Sequence, residues 1–151
     1  MRAFSWVRLP AVLLLSAASM GAAAQTPPAP TPVAVYKSAT CGCCAKWNDH
    51  MRTAGFTVNS TDLHDVAPVK DKHGVPAPMR SCHTAVVGGY VIEGHVPADV
   101  IKKLLRERPD VVGIAVPGMP MGSPGMEGPR VDSYNVMSFD KSGATKVYAS
   151  R

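Results

Sequence analysis

The sequence predicts an α/β domain in the order β-α-β-α-β-β-α, followed by a Gly/Pro/Met-rich loop and a C-terminal β-hairpin. Three observations carry this prediction. Short β-type runs alternate with helical patterns, a Gly-Gly pair splits two of those runs, and a proline-bounded amphipathic helix follows the pair.

Residues 33–37 (VAVYK) are the first strand. A helical pattern follows from about Cys43, with Trp47, Met51 and Ala54 at i, i+4 and i+7 on one face. Thr40 can cap its start and Gly55 can end it. Residues 56–59 alternate apolar and polar, as a second strand does, and residues 65–73 are a short helix candidate closed by Gly74 and Pro76. Residues 84–87 and 90–92 flank Gly88-Gly89, the pattern of a tight hairpin. Pro97 opens a strong helix with Val100, Ile101, Leu104 and Leu105 on one face, and Pro109 stops it. This is the order of a thioredoxin-like domain, parallel strands first and a hairpin last. Cys41 and Cys44 fall where such domains carry their dithiol, between strand one and helix one. Residues 115–129 (AVPGMPMGSPGMEGP) are too rich in Gly and Pro for a regular element, and residues 134–139 and 144–148 read as a second hairpin.

A length of 151 residues argues for one domain. Residues 1–24 have the form of a cleaved signal peptide: Arg2 and Arg8, an apolar run over 9–18, and Ala22-Ala23-Ala24 before Gln25. The run is too short to span a bilayer, so no stable membrane span is expected after cleavage. Residues 25–32 (QTPPAPTP) read as a Pro-rich tether and 33–151 as the thioredoxin-like metal-binding domain. The net charge of +5 loses two units with the signal, and no Lys/Arg cluster appears, which argues against a nucleic-acid partner.

The four cysteines carry the chemistry. Three fall in Cys41-Gly42-Cys43-Cys44 and the fourth is Cys82, whereas a framework of disulfide staples would spread them along the chain. Cys41 and Cys44 lie three apart at a helix start, where the helix dipole favours thiolate over thiol. Such a pair can hold a soft metal or cycle as a disulfide. Cys43 is useful where several ions share bridging sulfurs, and is otherwise a spectator turned away from Cys41 by the helix. Cys82-His83 offers a thiol and an imidazole just before the third strand; adjacent residues of a regular strand face opposite ways, so both can bind one site only if the segment is irregular. Met119, Met121 and Met126 have Gly and Pro for neighbours; they are either a hydrophobic plug or thioether ligands, which suit Cu(I). His95, at the end of the fourth strand, is open to three roles: ligand, donor to a ligand, or cap of the next helix. His50, His64 and His73 read as solvated or core-satisfied. No Gly-rich phosphate loop, Ser/His/Asp arrangement or paired catalytic carboxylates stand out.

The segments VYKSATCGCCAKWNDHM, SCHTAVVGGYVIEGHVPADVI and VPGMPMGSPGME resemble the exported copper-resistance family CopG, long described as a domain of unknown function and unrelated to the ribbon-helix-helix repressor of that name. The resemblance spans roughly residues 33–148. It implies a thioredoxin-like fold, a periplasmic location and a cysteine-bridged cluster of several copper ions, with copper exporters and copper oxidases as neighbours in copper resistance. Carried onto this chain, it implies Cys41, Cys43, Cys44, Cys82 and His83 as metal residues, with one or more of Met119, Met121 and Met126.

The leading expectation is therefore a periplasmic copper-binding protein of copper resistance and homeostasis rather than an enzyme. It would hold Cu(I), as a single ion or a cluster, with Cu(I)/Cu(II) cycling as a secondary conjecture. Its expected partners are copper ions and periplasmic export or oxidase components. The alternative is a periplasmic thiol–disulfide oxidoreductase using Cys41 and Cys44. A zinc site is weaker, because zinc takes Cys, His and carboxylate rather than thioether.

Overall fold

The computed structural model describes residues 30–151; the expected signal peptide and residues 25–29 of the tether lie outside them. Seven strands and three α-helices follow in the order β1 (Pro32–Ser38), α1 (Gly42–Thr53), β2 (Thr57–Leu63), α2 (Ala67–Lys72), β3 (Thr84–Val87), β4 (Tyr90–Glu93), α3 (Ala98–Glu107), β5 (Gly113–Ala115), β6 (Asn135–Phe139) and β7 (Thr145–Ser150), with a 3₁₀ turn at Ala77–Met79. One mixed sheet has the order β2-β1-β3-β4-β5-β6-β7. The pairs β1–β2 and β4–β5 are parallel and the others antiparallel. Among the described residues no helix is long and apolar enough to cross a membrane.

Strand alternation sorts the side chains onto two faces. Val33, Val35, Ala85, Val87, Tyr90, Ile92 and Ile114 enter one core with Trp47 and Met51 of α1 and Val100, Ile101 and Leu104 of α3. Val91 and Ala115, one position out of phase, join Val75 and Phe139 in a smaller core. All four residues of β4 are buried, so this central strand is covered on both sides. Each fully buried aliphatic side chain contributes about 1.5–3 kcal/mol. Trp47 also donates its indole N–H to the Val96 carbonyl at 2.9 Å, which ties α1 to the segment entering α3.

Three local expectations change. Thr40 does not cap α1: the cap position is Cys41, in extended backbone, and the Thr40 hydroxyl meets Ser38 instead. The second strand runs on to Leu63 because it pairs with β1 along its whole length. Residues 113–115 form a strand although Gly and a three-residue length hide it; a side chain at Gly113 would stand 2.1 Å from the Val91 carbonyl oxygen, so glycine is what lets β5 lie against β4.

Candidate metal centre

α1 begins at the carboxyl end of β1, and the turn between them is closed by the Cys41 N–H donating to Ser38 at 3.1 Å. Cys41 precedes the helix with φ −79° and ψ 92°, so its side chain does not follow the helical rotation. It therefore reaches both neighbours in the motif. Cys41 and Cys44 are joined as a disulfide, and Cys43 Sγ lies 3.5 Å from Cys41 Sγ. The expectation that helix geometry turns Cys43 away from Cys41 is thus corrected, since the rule applies only when both residues are helical. Cys44 is fully buried; Cys41, Cys43 and Cys82 are half-buried.

Cys82 and His83 precede β3 in irregular backbone, which lets both face the same place. Glu93, fully buried at the end of β4, holds that segment from behind. Its carboxylate accepts from the Ser81 N–H, the Thr84 hydroxyl and Lys70 Nζ, each at 2.6 Å. Lys70 Nζ also donates to Thr84 at 3.1 Å. The sulfurs of Cys41, Cys43, Cys44 and Cys82 all lie within 4.8 Å of one another, and Cys82 also forms a group with His83 and His95.

His95 is the residue the sequence leaves undecided and the structure places firmly. Its ring is fully buried; Nδ1 lies 2.8 Å from the Pro124 carbonyl and Nε2 lies 2.9 Å from Cys82 Sγ. A carbonyl only accepts, so Nδ1 carries the proton and Nε2 turns a bare lone pair toward the thiol. His83 Nδ1 lies 3.5 Å from the same sulfur, while its buried Nε2 has no hydrogen-bond partner among the described residues. Trp47 packs against the His83 ring at 4.4 Å between centroids. Burial pushes the Cys82 thiol up to about 12, with Cys43 adding to the shift, and burial holds both histidines below their ordinary value.

The Gly/Pro/Met-rich loop closes over these groups. Ser81 donates its hydroxyl to the Gly118 carbonyl, Pro124 accepts from His95, and Gly125 (φ +88°) lies so near α1 that a Cβ there would stand 2.6 Å from the Cys43 carbonyl oxygen. Met126 therefore follows a residue in contact with the centre. The Met121 sulfur packs on Gly128 within the loop, and Met119 is 53% exposed. Of the remaining histidines, His50 accepts the Ala98 N–H, His64 lines an open depression with Thr40 and Asp62, and His73 lies beside Tyr36.

A solved structure, "Copper resistance protein copG- Form 2", is 50% identical to this chain and covers 81% of it and 98% of its own length, with a TM-score of 0.77. The chain belongs to the CopG copper-resistance family. A second CopG structure, "Form 1", has the same identity and coverage and a TM-score of 0.76. The family model described as "Protein of unknown function, DUF411" matches residues 79–126, which hold Cys82, His83, His95 and the three loop methionines. No curated protein matches the chain. With the CopG relationship in hand, Lys70 and Glu93 stand out as the residues hardest to foresee. Their only signal is a carboxylate closing an otherwise apolar run and a lysine in a six-residue helix.

Proposed function

We propose that this chain binds copper, and that the centre formed by Cys41, Cys43, Cys44, Cys82 and His83 holds it as Cu(I). The observation that carries the reading is the convergence of four cysteine sulfurs from two distant segments within 4.8 Å. Thiolates are soft ligands that select Cu(I), and clustered sulfurs can bridge more than one ion. The fully buried Cys44 and His83 give such ions a site screened from water. The names of the two CopG structures add support from relatives. One or more of Met119, Met121 and Met126 complete the reading as thioether donors from the loop above.

The same reading makes the protein an exported one, with residues 1–24 removed, and a thioredoxin-like one. The order β2-β1-β3-β4, with β1 and β2 parallel and β3 antiparallel to β1, supports the latter. Its partners are then the components that export or oxidise periplasmic copper. N-terminal sequencing of the protein from a bacterial periplasm should begin at Gln25.

Titration of the fully reduced protein with Cu(I) under anaerobic conditions, followed by metal analysis, tests the reading. Bound copper should fall in Cys44→Ser and Cys82→Ser. Absence of copper, or uptake unchanged by Cys→Ser at 41, 44 and 82, ends it. One observation favours the rival thiol–disulfide oxidoreductase, the disulfide between Cys41 and Cys44. Disulfide reductase turnover by metal-free protein, surviving replacement of Cys82 and the three loop methionines, would establish that activity instead.

A further inference from the structure

We propose that the cleft between Phe56 and Leu105, rimmed by Lys102 and Arg106, docks an acidic segment of a partner protein that places one apolar side chain in the cleft. The cleft lies beyond the carboxyl end of α1, whereas the cysteines gather at its amino end, and the twelve residues of the helix set the two about 18 Å apart. Docking there is independent of the copper reading and leaves the cysteines open.

The cleft is built before any partner arrives. Thr31, Gly55, Phe56, Lys102, Leu105 and Arg106 line it, and it holds about 210 Å³. Phe56 is buried and fixed by its N–H, which donates to the Met51 carbonyl at 3.1 Å. Leu105 is pinned against the turn between β3 and β4, where a Cβ on Gly88 would stand 2.5 Å from its Cδ2. The Thr31 carbonyl accepts the Thr57 N–H at 3.0 Å, which fixes the third wall. Pockets that enclose a whole small molecule run to roughly 300–1,000 Å³. This one is smaller, and suits a single side chain projecting from something larger.

Charge says what that larger thing is. Lys102 and Arg106 are exposed and one helical turn apart on α3, a spacing at which like charges repel. Among the described residues neither has an ion pair or a side-chain hydrogen bond. Their charged neighbours are all engaged: Asp99 with Arg151, Lys103 with Glu107 at 3.9 Å, and Arg108 with the Gly88 carbonyl at 3.3 Å. Lys102 Nζ instead stands 5.8 Å from the centre of the Phe56 ring. The carboxyl end of α3 favours a cation at Arg106 by itself, but it does not account for Lys102 at mid-helix. Two carboxylates flanking an apolar side chain meet both cations and remove their repulsion. Residues 25–32 (QTPPAPTP) carry no carboxylate, so the chain's own tether lacks that complement.

The test is an NMR titration of the full metal-free chain with a blocked synthetic pentapeptide, a phenylalanine between two pairs of glutamates. The amides of Gly55, Phe56, Lys102, Leu105 and Arg106 should shift to saturation. Kd should rise about tenfold in Lys102→Gln/Arg106→Gln, whose exposed substitutions leave the Tm unchanged, and about as much when glutamines replace the peptide's glutamates. Added salt should weaken binding to wild type, and so should a glycine in place of the peptide's phenylalanine. Absence of saturable shifts at these amides, or equal affinity for the glutamine peptide, would overturn the proposal. So would the same amides shifting with phosphatidylglycerol vesicles but not with the peptide, which would make the face a membrane contact. Shifts that follow protein concentration alone would make it a self-association surface and overturn the proposal as well.

Discussion

Glu93 sits with no exposure to solvent, between Lys70 on one side and the segment bearing Cys82 and His83 on the other. Burying a carboxylate is costly unless every lone pair is met, and here an ammonium, a hydroxyl and a backbone N–H meet it. Removing one partner strands the other charge. Glu93→Ala should therefore cost about 3–5 kcal/mol in urea unfolding, and the double variant Lys70→Met/Glu93→Leu should cost less than the two single variants added together. Gly125 is the second residue on which the centre depends. It has φ +88° and no room for a Cβ against the Cys43 carbonyl and the Trp47 N–H. Gly125→Ala should push the loop off α1 and, on the function proposed above, weaken copper binding, read by competition with a Cu(I) chelator. Neither residue is legible from spacing. Glu93 meets a lysine 23 positions away, and Gly125 looks like any other glycine of a turn-rich stretch, whereas Cys41-Gly42-Cys43-Cys44 announces thiol chemistry by itself.

Among the elements, α3 shows how a helix start can be finished by a distant side chain. Its cap residue, Pro97, offers no side-chain acceptor, and His50 Nε2 from the end of α1 takes the Ala98 N–H at 3.0 Å. Only a neutral imidazole can accept that bond, and burial holds His50 below its ordinary value. A group depressed in the folded state contributes stability that is present above its unfolded value, near 6.5, and is lost as pH falls through the folded one. Wild type should thus lose stability on acidification below about pH 6.5. In His50→Ala this component of the pH dependence should vanish, with about 1 kcal/mol lost at neutral pH, as for other helix caps. Thermal unfolding across a pH series measures both. The helices and the two hairpins were readable because apolar spacing and Gly-Gly or Gly-Pro signals are local. β5 was not, because a three-residue strand is defined by its neighbours β4 and β6 rather than by its own sequence.

For the whole molecule, the sheet covered by α1 and α3 on one face and by Val75 and its neighbours on the other holds the chain together without covalent help. The Cys41–Cys44 disulfide closes a short loop and adds a modest contribution to that balance. Closing four residues limits the unfolded chain by only about 2 kcal/mol. Reduction should lower the Tm by roughly 10 °C at most while leaving a single cooperative transition in calorimetry. Loss of that transition would show the disulfide to be a structural staple. On that expectation the chain exchanges disulfide for free thiols at the centre and keeps its fold.

The loop over the centre leaves β5 after Ala115 and returns at β6, and those two strands are antiparallel neighbours in which Ala115 stands opposite Met137. Its two ends are therefore side by side, and between the docking points at Gly118, Pro124 and Gly125 its length and content are free of the strands beneath. Stretches anchored in this way tolerate insertion and replacement at little entropic cost. The loop is in effect an exchangeable cassette. A descendant lineage could trade a methionine for a histidine there, or lengthen the lid, and change the side chains carried above the cysteines without redesigning a single strand.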